Sequence, residues 1–325
     1  MQSIIKSLTD KKIWLAPLAG FTDNAFRKIC KQNGADVIVS EMVSADGIVF
    51  DKNQSISYTD SDESQRPFGI QLFGSEPKIM AKAAEIILEK KPDFIDVNMG
   101  CPVKKVIKRG AGSALMKTPD KAEAIIREMK NVLDGCKIPL SVKIRSGWDM
   151  QNINATDFGK MLQSAGADMI CIHPRTRTQM FSGRSDWSLI KELKHNLTIP
   201  IIGNGDIRTP EDAQKMFSQT NCDSIMVGRG ILGKPWLLKE IKDYLLKSEI
   251  ISLSLSDKYE IIVQHFEEIV KNIGEQTAIR EMRTHFSYYT KGFKGSAKIR
   301  DFINKSLDKK AILYAIKALY SKELN

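Results

Sequence analysis

Cysteine is sparse in this chain. Its five copies (Cys30, Cys101, Cys136, Cys171 and Cys222) are isolated, odd in number and never spaced as C-x-x-C. That pattern excludes a disulfide scaffold and argues against a zinc site, so no metal is expected and a reducing, cytoplasmic compartment is the simpler reading. Long apolar runs are also missing: none approaches the ~18 residues that a membrane span needs. The opening stretch, MQSIIKSLTDKKIW, has no apolar core of the kind a secretory signal carries. No membrane partner is expected.

What is present is ordinary for a globular protein. The chain has 325 residues, 42% hydrophobic and 27% charged, long enough for about two domains of roughly 150 residues each. Lys and Arg number 49 against 39 Asp and Glu, a net charge of +10. The excess is uneven. Residues 278–325 hold eleven Lys/Arg and four Asp/Glu, a net of +7, which leaves only +3 for residues 1–277. A concentrated positive segment points to an anionic partner.

Eight short runs rich in β-branched residues recur along the first three quarters of the chain. They are Lys12–Leu18, Asp36–Ser40, Pro67–Phe73, Asp93–Asn98, Pro139–Ile144, Asp168–His173, Ile199–Gly203 and Asp223–Gly228. Their apolar density suits parallel strands buried on both faces. Helical periodicity fills the gaps, as in Glu76–Lys90 and Pro119–Leu133. Thr118-Pro119 and Thr209-Pro210 each set a capping hydroxyl before a proline at the first helical position. Eight strand–helix units predict an α/β fold of the (β/α)8 TIM-barrel class over residues 1–248, with a doubly wound open sheet as the alternative. From residue 249 to 325 only helical patterns follow: Ser256–Ile273, Glu275–Tyr289, Ser296–Leu307 and Lys309–Tyr320. They predict a small all-helical C-terminal domain.

In such a barrel the reactive groups sit where strands end. After the first strand comes Pro17-Leu18-Ala19-Gly20, small enough for backbone contact with a flat ligand. Gln71, Lys143 and His173 lie near the ends of the third, fifth and sixth strands. Gly203-Asn204-Gly205-Asp206 and Gly228-Arg229-Gly230 follow the seventh and eighth, where glycine lets backbone N–H groups approach phosphate oxygens. Lys143 is suited to offset negative charge on a reduced flavin or an enolate. Cys101 sits in the Gly/Pro-bounded loop Asn98-Met99-Gly100-Cys101-Pro102 after the fourth strand. As a thiol of ordinary pKa about 8.5 it is mostly protonated at neutral pH and can give up a proton.

The segments APLAGFTD (16–23), SEMVSADG (40–47), QLFG (71–74), DVNMGCPVKKV (96–106), GAGSALM (110–116), VKIRSGW (142–148), HPRTRTQMFSG (173–183), GNGDI (203–207) and VGRG (227–230) occur in this order. Together they make the chain resemble the tRNA-dihydrouridine synthases over nearly its whole length. The late stretch AIREMRTHFSYYTKG (278–292) looks most like the bacterial B-type subgroup. The resemblance implies an FMN enzyme, a barrel with a helical tRNA-binding domain, which uses NADPH (or NADH) to reduce the C5–C6 bond of uridine in tRNA. It assigns FMN contacts to Pro17, Leu18, Ala19, Gln71, Lys143, His173, Asn204, Gly205, Asp206, Gly228 and Arg229, and the proton donor to Cys101. One departure is Pro174, where many members carry Gly or Ala; proline removes a backbone donor there.

A uridine inside folded tRNA must be turned out to reach a flavin at the bottom of a barrel. Asn98 and Arg145, on strand ends facing the same mouth, are candidates for holding the uracil ring. Arg280, Arg283, Lys291, Lys294, Lys298 and Arg300 are candidate phosphate contacts, and Lys104, Lys105, Lys108, Arg175 and Arg177 would continue the track to the mouth. One monomer per tRNA is the default expectation. Two other readings remain open at this level. One is a dihydroorotate-dehydrogenase-like FMN enzyme acting on a free pyrimidine, which would need no basic helical domain. The other is a non-catalytic RNA-binding protein, which would leave Gln71, Lys143, His173 and Arg229 without a purpose.

Overall fold

All eight apolar runs form parallel strands in the computed structural model, which describes residues 1–51 and 56–321. They are β1 (Ile13–Leu15), β2 (Ile38–Ser44), β3 (Phe68–Phe73), β4 (Phe94–Met99), β5 (Leu140–Arg145), β6 (Met169–His173), β7 (Ile201–Asn204) and β8 (Ser224–Val227). The order around the sheet is β1-β8-β7-β6-β5-β4-β3-β2. The ring closes beside β2, where Leu15 N–H donates to the Val37 carbonyl at 2.9 Å and Val37 N–H to that of Ile13 at 3.2 Å. This is a TIM barrel; the open-sheet alternative is set aside by that closure.

Successive strand residues point to opposite faces, and the sequence uses that alternation to separate packing from chemistry. Outward positions such as Leu15, Ile70, Ile95, Val97, Val142, Ile144, Ile170 and Ile225 pack against the surrounding helices. Inward positions near the strand starts, among them Trp14, Val39, Phe94, Met169, Cys171, Ile202 and Met226, form a second apolar cluster that fills the barrel. The Phe94 ring lies so close to Gly69 that a Cβ there would sit 2.2 Å from it, so only glycine leaves room. Leu8, from a helix over Gln2–Thr9, joins the inner cluster. Toward the strand ends the inward rows turn polar: Phe94 gives way to Asp96 and Asn98, and Met169 and Cys171 to His173, while on β5 the row Ser141, Lys143 and Arg145 is polar throughout.

Both prolines open their helices as expected, but the two threonines before them behave differently. Thr209 makes a full capping box with Asp212 on the helix Pro210–Thr220. Thr118 makes no side-chain cap, contrary to expectation. Its backbone (φ −129°, ψ 69°) leaves its hydroxyl unused, and its carbonyl instead accepts from Lys121 and Ala122 N–H, both at 3.1 Å.

Beyond the barrel come the helices Leu255–Ile273, Glu275–Tyr289, Ser296–Lys305 and Lys309–Tyr320. Ser254 and Asp257 form a capping box at the first of them. Their apolar stripes share one core, including Ile262, Phe266, Ile279, Met282, Phe286, Ile312 and Ile316. Ala25, Ile29 and Trp236 from the barrel side belong to that same core. The Tyr288 carbonyl comes so near Gly233 (φ +76°) that a Cβ there would lie 2.4 Å from it. The expected helical segment 249–325 includes residues 322–325, which lie outside the described residues.

Candidate active site

The polar inward rows open into a cavity of about 1200 Å³ at the C-terminal ends of the strands. Its wall includes Pro17, Leu18, Ala19, Gln71, Asn98, Cys101, Lys143, Arg145, His173, Asn204, Gly205, Asp206, Gly228 and Arg229. All the residues expected to touch a flavin, the expected proton donor and both uracil-ring candidates therefore share one space. Met42, Phe181 and Tyr288 line it too; they lie within the segments that carry the resemblance but are not among the expected site residues.

Lys143 is held across the barrel mouth by a side chain from β7, two strands away. Its Nζ donates to Asn204 Oδ1 at 3.0 Å, and Asn204 Nδ2 donates to the Met226 carbonyl at 2.6 Å. His173 receives a hydrogen bond at Nε2 from Arg175 Nη1 at 3.1 Å. Burial, with Lys143, Arg145, Arg175 and Arg229 nearby, pushes its pKa well below the ordinary value. A guanidinium only donates, so the imidazole is neutral with its proton on Nδ1.

Cys101 is fixed from both sides of its loop. Its N–H donates to Asn98 Oδ1 at 2.8 Å, and its carbonyl accepts from Ser113 N–H at 3.1 Å and Ser113 Oγ at 2.9 Å. Gly112 (φ +62°) lies against that carbonyl, where a Cβ would stand at 2.8 Å. Burial raises the thiol pKa, while Val103 N–H and Arg145 pull it the other way. The thiol form is thereby favoured at neutral pH.

Arg145 spends most of its guanidinium on carbonyls: Nε on Gly100 at 2.8 Å, Nη1 on Thr176 at 2.9 Å and Met180 at 2.8 Å. Burial lowers its pKa to about 10, which leaves it charged. It thus ties the Cys101 loop to the loop after β6. Phe181 in that second loop stacks beneath the Arg229 guanidinium, 4.2 Å from carbon to ring centre.

Arg175, expected on the RNA track, is a correction. It is completely buried, and its guanidinium is consumed by His173, Ser182, Gly183, Ser185 and Asp206. The salt bridge to Asp206 is 2.7 Å and holds that carboxyl below the usual range. With every nitrogen turned inward, Arg175 organises the β6 and β7 loops and offers nothing to a phosphate. Arg177 is half-buried against the Trp148 ring at 4.7 Å. Lys104, Lys105 and Lys108 stand exposed on the short helix and turn beyond Cys101. Arg280, Lys291, Lys294 and Lys298 are exposed as well, whereas Arg283 is half-buried with Nη2 3.5 Å from the Ser306 carbonyl, and Arg300 donates to Ser296 Oγ at 2.9 Å.

Two groups that sequence reasoning missed are central here. Asp96 lies beneath Gln71, which donates to it at 2.6 Å, and Ser113 clamps the Cys101 loop. Asp96 stood within a quoted motif, but a buried carboxylate on an inward row is indistinguishable from a solvated one until the strand's register is known.

A parallel barrel whose mouth combines glycine loops after β7 and β8 with an inward lysine and a looped cysteine is the architecture of a barrel oxidoreductase. Residues 14–323 match the family described as Dihydrouridine synthase (Dus), and the chain belongs to that family. It is 37% identical to tRNA-dihydrouridine synthase B of Pasteurella multocida over 311 residues, 95% of this chain and 93% of the relative. To the protein of the same name from Pseudomonas aeruginosa it is 33% identical over 316 residues, 97% of this chain and 94% of the relative. Among solved structures, histamine dehydrogenase from Rhizobium sp. 4-9 superposes with a TM-score of 0.55 at 13% identity, covering 79% of this chain and 49% of that one. That likeness concerns the fold alone.

Proposed function

We propose that this protein is a tRNA-dihydrouridine synthase: an FMN-dependent oxidoreductase that takes electrons from NADPH (or NADH) and reduces the C5–C6 bond of a uridine in tRNA. The observation that carries the reading is the single cavity in which Gln71, Lys143 and His173 face the same space as Cys101. In this reading residues 1–248 are the catalytic barrel and 249–325 the tRNA-binding domain. The protein works as a cytoplasmic monomer that needs no metal.

The residues suit the flavin by their donor set. The cavity exceeds the roughly 300–1000 Å³ of typical small-molecule sites. Pro17, Leu18 and Ala19 offer a flat, largely apolar wall, while Gln71, Lys143 and a neutral His173 offer polar groups for a ring edge. Asn204, Gly205 and Asp206 after β7, with Gly228 and Arg229 after β8, belong to the phosphate side. Arg229 and Gly230 open a one-turn 3₁₀ segment, so their N–H groups have no carbonyl in a preceding turn. Arg229 adds a permanent charge.

FMN, when bound and reduced, supplies a hydride to C6 of the uracil. The chain's own residues do the rest. Lys143 Nζ offsets negative charge at the ring edge. As electron density moves onto C5 and toward the C4 oxygen, the Cys101 thiol gives its proton to C5, and the thiolate left behind is stabilised by Arg145. Asn98 and Arg145 hold the uracil. Lys104, Lys105, Lys108 and the exposed cations of the helical domain hold the RNA backbone while the base is turned out.

Anaerobic flavin reoxidation tests this. The protein is purified, loaded with FMN, reduced with NADPH and mixed with tRNA lacking dihydrouridine, with orotate alongside. Reoxidation by tRNA and not by orotate is expected. Reoxidation by orotate alone would assign a free pyrimidine as substrate, and failure to hold any flavin would end the enzymatic reading.

A further inference from the structure

Asp96 is a fully enclosed acid beneath the proposed flavin site, only 2% exposed, and no Lys or Arg nitrogen among the described residues reaches it within ion-pair distance. Enclosing a carboxyl without a bonded counter-charge is costly, so its retention calls for a physical reason. Its hydrogen bonds suggest one. Asp96 Oδ2 accepts from Gln71 Nε2 at 2.6 Å, Gln71 Oε1 accepts from Asn98 Nδ2 at 2.8 Å, and Asn98 Oδ1 accepts from Cys101 N–H at 2.8 Å and Gly100 N–H at 3.2 Å. Asp96, Gln71, Asn98 and Cys101 thus form a connected chain from the barrel interior to the reactive loop.

The direction of that chain is imposed from its ends. A backbone N–H only donates, so Asn98 must turn its oxygen to Cys101. At the other end Asp96 Oδ2 is the acceptor, and Gln71, whose oxygen already faces Asn98 Nδ2, turns its NH₂ to it; burial raises the pKa of this carboxyl, and the direction of the chain does not depend on its being ionised. Ser141, the register partner of Asp96 on β5, supplies a further hydrogen bond to the acid. With both ends fixed, neither middle amide can flip without leaving two oxygens, or two NH₂ groups, face to face. We propose that Asp96 is a positioning residue: through Gln71 and Asn98 it sets the Cys101 loop at the height where its thiol meets uridine C5. This rests on the synthase reading above.

The test uses the FMN-loaded protein in four forms: the natural chain, Asp96→Leu, Cys101→Ala, and the two substitutions together. Leucine keeps the carboxyl's shape and removes both acceptor oxygens. Flavin content and spectrum of the natural chain come first; absence of flavin there would sink the synthase reading, not this one. Two half-reactions are then timed in single turnover. Reduction by NADPH does not use the thiol and serves as the control, and reoxidation by tRNA reads the Cys101 end. Asp96→Leu should slow reoxidation at least 10-fold and change reduction less than 3-fold. In the Cys101→Ala background the same substitution should slow residual reoxidation less than 2-fold, because the group being positioned is gone. An equal slowing in both backgrounds would mean general damage and would overturn the proposal. Should Asp96→Leu not fold, Asp96→Asn stands in, since its amide can turn an NH₂ to Gln71 in place of the acceptor oxygen. It should slow reoxidation at least 3-fold, again only when Cys101 is present, and a rate within 2-fold of the natural chain would overturn the proposal.

Discussion

Arg175 Nη1 lies 3.1 Å from His173 Nε2, and the rest of that guanidinium is bound to the Asp206 carboxylate and to loop carbonyls. A cation buried beside a histidine settles the histidine's proton count: Nε2 can only accept, so the ring presents a single N–H and carries no charge. The same arginine thereby fixes the tautomer of one expected flavin contact and the position of another, Asp206.

Removing that cation should be costly. Arg175→Ala leaves the Asp206 carboxylate and several carbonyls without their donor, and breaking a buried ion pair typically costs about 3–5 kcal/mol. We expect a lower thermal midpoint together with lost FMN retention, both read from a melt followed by flavin fluorescence. Unchanged retention would separate the arginine from the flavin site.

Exposed cations should behave in the opposite way. Lys104→Ala, Lys105→Ala and Arg280→Ala should leave the melting temperature within about 1 °C, because solvated charges contribute little to stability. Each should lower tRNA affinity and reduce the slope of log K against log salt by up to about 1. Arg283→Ala should affect both quantities, since this residue is half-buried against the Ser306 carbonyl. A slope unchanged in all four variants would move the RNA path elsewhere.

Cys101→Ala should retain flavin and reduction by NADPH while uridine reduction falls about 10²- to 10⁴-fold, the usual contribution of a positioned acid. Because burial raises the pKa of this thiol, the alkaline decline in activity of the natural enzyme should lie above the ordinary thiol range. Full turnover in the alanine variant would remove the proton-donor role.

Three histidines are buried and kept neutral. His173 and His265 are pushed well below 6.5 and His285 to about 4, all through burial first. An unfolded chain takes up these protons near pH 6.5 while the folded one refuses them. Their contribution to stability is therefore complete above pH 6.5 and is lost as pH falls toward the folded values. His285→Gln should flatten the stability slope between pH 6.5 and 5 by up to about 1.4 kcal/mol per pH unit. Chemical denaturation at several pH values measures it; an unaltered slope would mean that His285 titrates normally.

The barrel was legible in the sequence because parallel strands are buried on both faces, which makes each a dense apolar run. The expected helices over 275–289 and 309–320 match the structure residue for residue, since their stripes are regular. Strand ends were less legible: β2 runs on through Glu41 to Ser44 past a register shift after Val39, and an acid in the run hides that extension. Cys101, Lys143 and His173 could be placed at the mouth because position along a barrel strand is enough to put them there. Arg175 could not, because its role depends on four partners 7 to 31 positions away, with Asp206 the most distant. A surface arginine and a buried hub look alike until the loops are folded. Asp96 was hidden for the related reason that its partner, Gln71, lies 25 residues earlier.

Trp236, Ala25 and Ile29 share one apolar core with the four C-terminal helices, and Gly233 lets the backbone at Tyr288 press directly on the barrel's last loop. This joint is made by side-chain packing and a close backbone approach. In the function proposed above, these helices would work as a jig and not as an arm: the packed joint would set the angle at which an RNA meets the cavity before any substrate arrives. On that proposal the choice of uridine would become a matter of fixed distance, measured from wherever the RNA backbone seats on the helices to the thiol of Cys101. A small apolar change at this joint, remote from both flavin and RNA, would re-aim the enzyme along the same tRNA.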